Sequence, residues 1–130
     1  MIAVDTNVVV RLLVKDDELQ YAQSLALFQS HSIFLSDTVI LETEWVLRFS
    51  YSLQPSEISQ SLKLLIGLPT VKVTDAKRLA QALQWHIHGL GFADAFHLAC
   101  CNHCSALYTF DQQFIRRAQS ITTLRVLAPS

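Results

Sequence analysis

Short, largely apolar runs, Ile2-Ala3-Val4, Ile33-Phe34-Leu35, Val71-Lys72-Val73 and Ala106-Leu107-Tyr108, are spaced along the chain by much longer helix-patterned stretches. Alternation of this kind predicts an α/β fold in which a parallel sheet is covered by helices. Strands buried on both faces read as brief apolar runs rather than alternating ones, and these do. The predicted helices cover Thr6 to Val14, where the Val content makes strand a competing reading, a segment capped by Asp16 and Asp17 and running to about Ser30, and a segment capped by Ser36 or Asp37 and running to about Tyr51. Further helices run from Pro55 to near Gly67, from Thr74 and Asp75 to about Ile87, from about Phe92 to Cys104 after the Gly89/Gly91 break, and from Gln112 to Ala118. A last strand is predicted over Thr123 to Leu127. In open α/β sheets ligands bind beyond the carboxyl ends of the strands, where Asp5 and Asp111 both fall.

The 130 residues suit one domain, with no repeat, linker or low-complexity segment. Mean hydropathy of +0.30 is high for so small a domain. Either a partner surface is covered, as in a homo-oligomer, or a helix-dense core leaves a few apolar residues exposed. Net charge is −1, which disfavours a broad basic face for nucleic acid. If RNA is the substrate, contact is local or a bound cation supplies the positive charge. The 3 cysteines lie within Cys100 to Cys104, an odd, clustered set that is no disulfide framework and suits a reducing cytosol. No signal-like start and no run approaching ~20 apolar residues is present, so a soluble cytoplasmic protein without membrane contact is expected.

Four acids carry the chemical interest. Asp5 and Asp111 each follow a predicted strand, and each can serve simply as a helix cap. Glu42 and Glu44 separate on a helical wheel. Glu42 falls between Val46 and Phe49 on an apolar flank, so an inward carboxylate needing a partner is expected there. Glu44 falls beside Arg48, and an exposed helical ion pair is expected. Asp94 is the only acid in an apolar helix; the helix dipole favours it by about 0.3–1 kcal/mol, small beside the cost of burying an unpaired charge. Carboxylates held close repel unless a cation lies between them, and oxygen ligands suit Mg²⁺ or Mn²⁺. Such ions activate water and stabilise charge on phosphoryl oxygens, so the residues alone point to a divalent-metal site acting on phosphate.

The segments Ile2-Ala3-Val4-Asp5-Thr6-Asn7-Val8, Thr38-Val39-Ile40-Leu41-Glu42-Thr43-Glu44-Trp45-Val46-Leu47, Phe92-Ala93-Asp94-Ala95-Phe96-His97-Leu98-Ala99 and Tyr108-Thr109-Phe110-Asp111-Gln112-Gln113-Phe114 resemble the successive motifs of PIN domains. The likeness covers nearly the whole chain and is nearest to the VapC-type toxins of bacterial toxin–antitoxin pairs. It implies a three-layer α/β/α domain with a central parallel sheet of four to five short strands. It implies a Mg²⁺- or Mn²⁺-dependent endoribonuclease that forms a homodimer and is silenced by a small VapB-type antitoxin. Carried over by position, Asp5, Glu42, Asp94 and Asp111 are the metal-binding and catalytic acids. Thr6, Asn7 and Thr109 flank them, and His97, one turn after Asp94, is a supporting partner. Arg11, Lys15 and Arg48 follow the acidic motifs and are weaker candidates for RNA phosphate contact, with solvated surface charge as the plainer reading. The cysteine cluster and the lack of net positive charge depart from what the resemblance implies.

Other readings are weaker. His97, Cys101 and Cys104 share a helix face, but one straight helix cannot wrap a tetrahedral zinc ion. A PIN-like fold without activity would be an RNA-binding or protein-interaction module; the presence of all four acids favours the enzyme. An aspartyl nucleophile at Asp5, as in haloacid-dehalogenase-like enzymes, calls for Asp-x-Asp, and this chain has Asp5-Thr6-Asn7. No Gly-rich phosphate loop follows a strand.

Overall fold

A computed structural model describes residues 1–130 as an α/β chain of seven helices and five short strands, every strand pairing being parallel. The chain divides into two compact units, Met1–Ala76 and Lys77–Ser130.

In the first unit β1 (Ile2–Ala3), β2 (Ile33–Leu35) and β3 (Val71–Val73) form a sheet in the order β1-β2-β3, with Ile2 opposite Ile33 and Ile33 opposite Val71. The middle strand is the most deeply buried, and Ile33 and Leu35 are almost wholly excluded from solvent. Four helices connect and cover these strands: α1 (Thr6–Val14), α2 (Glu18–Ser30), α3 (Asp37–Ser50) and α4 (Pro55–Ile66). Each begins on a residue suited to start it. Asp5, Asp17 and Ser36 accept backbone N–H bonds at the first turns of α1, α2 and α3. Pro55 occupies the first turn of α4, where no N–H is missed, and Gln54 and Glu57 form a reciprocal capping box. Asp17→Ala, which removes the cap of α2, is expected to cost about 1 kcal/mol. A lower urea midpoint with an unchanged slope would show it.

The second unit holds α5 (Ala76–Ile87, its first residue at the boundary), α6 (Phe92–Cys100), β4 (Leu107–Tyr108), α7 (Gln112–Ile121) and β5 (Val126–Leu127). β4 and β5 pair in parallel, Leu107 opposite Val126. Phe92 and Phe96 meet edge to face at 5.6 Å within a core that includes Leu83, Leu90, Ala95 and Leu98.

The parallel α/β class is as the sequence implies. The five strands form a three-stranded and a two-stranded sheet rather than one continuous ladder, and strands of two or three residues carry few ladder bonds each. The sixth helix stops at Cys100 and not at Cys104. There the Cys101 thiol donates to the His97 carbonyl, competing with the backbone for it, and the Cys101 N–H closes a tighter turn on Leu98. Residues 101 to 105 then form turns. No helix is long and apolar enough to cross a membrane.

Candidate active site

The first unit supplies one acidic pair. Asp5 lies two residues beyond β1, at the carboxyl edge of the sheet, and α3 leaves the same edge after β2. An open cleft of about 280 Å³ lies between α1 and α3, lined by Asp5, Thr6, Asn7, Val10, Arg11, Glu42, Val46, Ser50 and Tyr51. Asp5 accepts the Thr6 N–H through Oδ1 at 2.7 Å, so its role as a helix cap is real. That bond occupies one carboxylate oxygen and leaves the second to a ligand. The Thr6 hydroxyl is buried in the same lining with no hydrogen-bond partner. An orphaned buried hydroxyl costs on the order of 1–3 kcal/mol and marks a place for water or an ion.

One wall of this cleft is a tight polar network. The Arg11 guanidinium bonds the Gln20 side chain at 2.6 Å, Asp16 at 3.1 Å and the Tyr51 hydroxyl at 3.0 Å. Tyr51 in turn donates to Asp16 at 2.8 Å. The Tyr51 hydroxyl, and then the Arg11 charge, hold the Asp16 carboxyl below its ordinary range. The Tyr51 hydroxyl, and then the Asp16 charge, push the Arg11 guanidinium up. Arg11 therefore has a structural assignment, and sequence reading missed Tyr51 and Asp16 because their contact spans 35 residues.

Glu42 and Glu44 exchange the places expected of them. Glu42 is exposed, whereas Glu44 is 2% exposed and bonded to Arg48 Nε at 2.9 Å. The buried stripe of α3 is Ile40, Thr43, Glu44 and Leu47. Phe49, taken on the wheel as part of an inward flank, is 62% exposed, so the flank carrying Glu42 faces outward. The ion pair of Glu44 is a packing element of the unit, and Glu42 stands free to meet a ligand in the cleft. Arg48 is thereby committed to Glu44 on one side. Lys15 closes α1 in a left-handed conformation and lies 5.3 Å over the Tyr21 ring, itself exposed.

The second unit supplies the other pair. Asp94 sits in the first turn of α6, half-buried. Burial pushes its carboxyl above the ordinary range, and the nearby Asp111 carboxylate pushes it further; His97 and Arg117 pull it partly back. Asp111 caps α7, its Oδ1 accepting from Gln113 and Phe114 N–H at 3.0 Å each, again leaving one oxygen over. The Thr109 hydroxyl accepts the Asp111 N–H at 3.0 Å and so fixes the turn that presents it. His97 is exposed and close enough to Asp94 to offset its charge. Arg117 had no signal in the sequence, since only the packing of this unit brings it near Asp94.

The cysteines add no metal centre. Burial, and then Cys104 and Cys100, push the Cys101 thiol up. In neither unit do three His, Cys, Asp or Glu side chains gather into a cage. The acids come as two pairs, one to each unit. Both pairs fit a hard divalent cation, because they offer only oxygens, an orphaned hydroxyl accompanies one, and the other holds a carboxyl against its neighbour's charge.

A family model described as the PIN domain matches residues 2–119. No curated protein matches the chain.

Proposed function

The chain belongs to the PIN-domain family, and from that premise we propose that it is a metal-dependent endoribonuclease hydrolysing RNA phosphodiester bonds. PIN domains are generally nucleases, and the match spans all four motif acids. One observation carries the reading beyond the family. Both capping aspartates, Asp5 and Asp111, spend a single oxygen on backbone amides, and each has an acidic neighbour in its own unit, Glu42 and Asp94. Structural caps alone do not call for those neighbours.

In this reading Asp5, Glu42, Asp94 and Asp111 are the metal-binding acids, for Mg²⁺ or Mn²⁺. When bound, such an ion supplies Lewis acidity toward the attacking water and the phosphoryl oxygens. Thr6 and Asn7 border Asp5 and would orient water there, while Thr109 fixes Asp111 and His97 balances Asp94. Of the three cations near the motifs, Arg11 is held by Gln20, Asp16 and Tyr51, so phosphate contact falls to Lys15 and to the edge of Arg48 that Glu44 leaves over. The finer assignment is to a VapC-type toxin, acting in the cytoplasm as a homodimer and restrained by a VapB-type antitoxin. What supports it is the run of motifs around the four acids.

The purified chain with single-stranded RNA decides the activity. Cleavage is expected with Mg²⁺ or Mn²⁺ and none with a chelator. Folded protein that leaves RNA intact with both ions would sink the reading, and binding without cleavage would point instead to an RNA-binding module. Induced expression in a bacterium, expected to arrest growth, tests the toxin assignment separately.

A further inference from the structure

The outward flank of α3 carries more than Glu42. Trp45 and Phe49 stack on one another there, ring centroids 4.8 Å apart and planes 29° from parallel. They are 52% and 62% exposed, and no other pair of exposed rings in the molecule is stacked in this way. The Arg48 guanidinium lies 5.0 Å from the Phe49 centroid. At 100° per residue Phe49 lies roughly 20° from Glu42 around the helix and Trp45 about 60°. Trp45 is one turn along from Glu42, an axial rise of about 4.5 Å. On the other side of Glu42, Val46 and Ser50 line the acidic cleft. The stacked rings therefore form the rim of that cleft.

Two exposed rings would gain by being covered, since burying them removes large apolar area from water. What covers them is narrowed by their make-up. The patch is flat and aromatic, with a guanidinium at its edge and a carboxylate of the cleft beside it. Apart from these two rings α3 exposes no large apolar side chain, aliphatic ones included; the exposed leucines Leu19, Leu64 and Leu68 are on α2, on α4 and just after α4. Aromatic faces with an adjoining cation are how unpaired bases are held, each base continuing the stack while the cation stays near the backbone phosphate.

We infer that Trp45 and Phe49 form a stacking ledge for unpaired bases of single-stranded RNA entering the cleft at Glu42. The inference rests on the ribonuclease reading above and adds to it the two residues that would hold the strand by its bases, with little regard to their identity.

Binding is measured on the full chain carrying Asp94→Asn, so that RNA stays uncut. Titration with a short single-stranded oligoribonucleotide should quench Trp45 emission saturably, over a steady background from the buried Trp85. Trp45→Phe should abolish the quench yet keep affinity within a few-fold, because a ring remains. The double change Trp45→Ala with Phe49→Ala should weaken binding about tenfold or more. Removing one base from the oligonucleotide should weaken binding to the parent but not to the double variant. Three results would each overturn the ledge: binding by fluorescence anisotropy without quench, parent affinity in the double variant, or a dimer that becomes a monomer on the double change. The last would make the patch an interface between copies. Cleavage by the unaltered chain is scored separately, so either inference can fail alone.

Discussion

Asp94→Asn is expected to lower RNA cleavage by roughly 10²–10³-fold, equivalent to about 3–4 kcal/mol of transition-state stabilisation. The same substitution should raise the melting temperature of the metal-free protein. These opposite signs come from one cause. Asp94 is half-buried and faces Asp111, so its ionised form is disfavoured in the fold. A neutral amide removes that cost and removes a metal oxygen with it. A residue present only to favour the α6 dipole would behave otherwise, since losing its charge would slightly destabilise the helix. Calorimetry in chelator and a cleavage assay in Mn²⁺ give the two readings. Loss of both activity and stability would mark Asp94 as structural.

The pH dependence follows with the sign set by the same group. The Asp94 carboxyl is raised in the folded chain relative to its ordinary unfolded value near ~3.9. The folded state thus binds the proton more tightly, and through this group acidification favours the metal-free fold. That gain sets in as pH falls through the raised value and is complete below the unfolded one. Metal affinity runs the other way, because the ligand must be ionised. Mn²⁺ binding should therefore weaken on acidification sooner than for a site of ordinary carboxylates, and Asp94→Asn should flatten that part of the profile.

Local signals were readable in the sequence and tertiary ones were not. The strand runs, the caps at Asp17 and Ser36 and the Pro55 start depend on neighbouring residues, and each appears where its pattern put it. Asp5 and Asp111 were legible because a carboxylate just past a strand is placed by the chain itself. The end of α6 was misjudged because a thiol bond to the His97 carbonyl leaves no trace in hydrophobic periodicity. Tyr51 and Arg117 were invisible for the same kind of reason: both act through partners brought close only by folding. The error at Glu42 and Glu44 is the most instructive. A wheel assigns the buried face to the side richest in large apolar residues, and α3 displays Trp45 and Phe49 to solvent. Where exposed aromatics bind something, hydrophobicity stops being a guide to the interior.

That exchange gives a crossed pair of substitutions. Glu42→Gln should lose cleavage by roughly 10²–10³-fold, as expected for removing one carboxylate from a metal site. Its stability should stay within about 0.5 kcal/mol of the parent, because the side chain is exposed. Glu44→Gln should do the reverse. Its carboxylate is buried and takes the Arg48 Nε bond at 2.9 Å, and hydrogen bonds to charged groups contribute about 1.5–3 kcal/mol. The glutamine fills the same space, so the loss is one of charge pairing and not of packing volume. Urea unfolding should register it as a lower midpoint, while cleavage by the fraction that remains folded stays near the parent's. If the carboxylate that matters to catalysis were the buried one, the two variants would trade columns, with Glu44→Gln inactive at full occupancy of the fold and Glu42→Gln active. The site would then have to be rebuilt around the Glu44–Arg48 pair, and the cleft at Asp5 would lose its second acid.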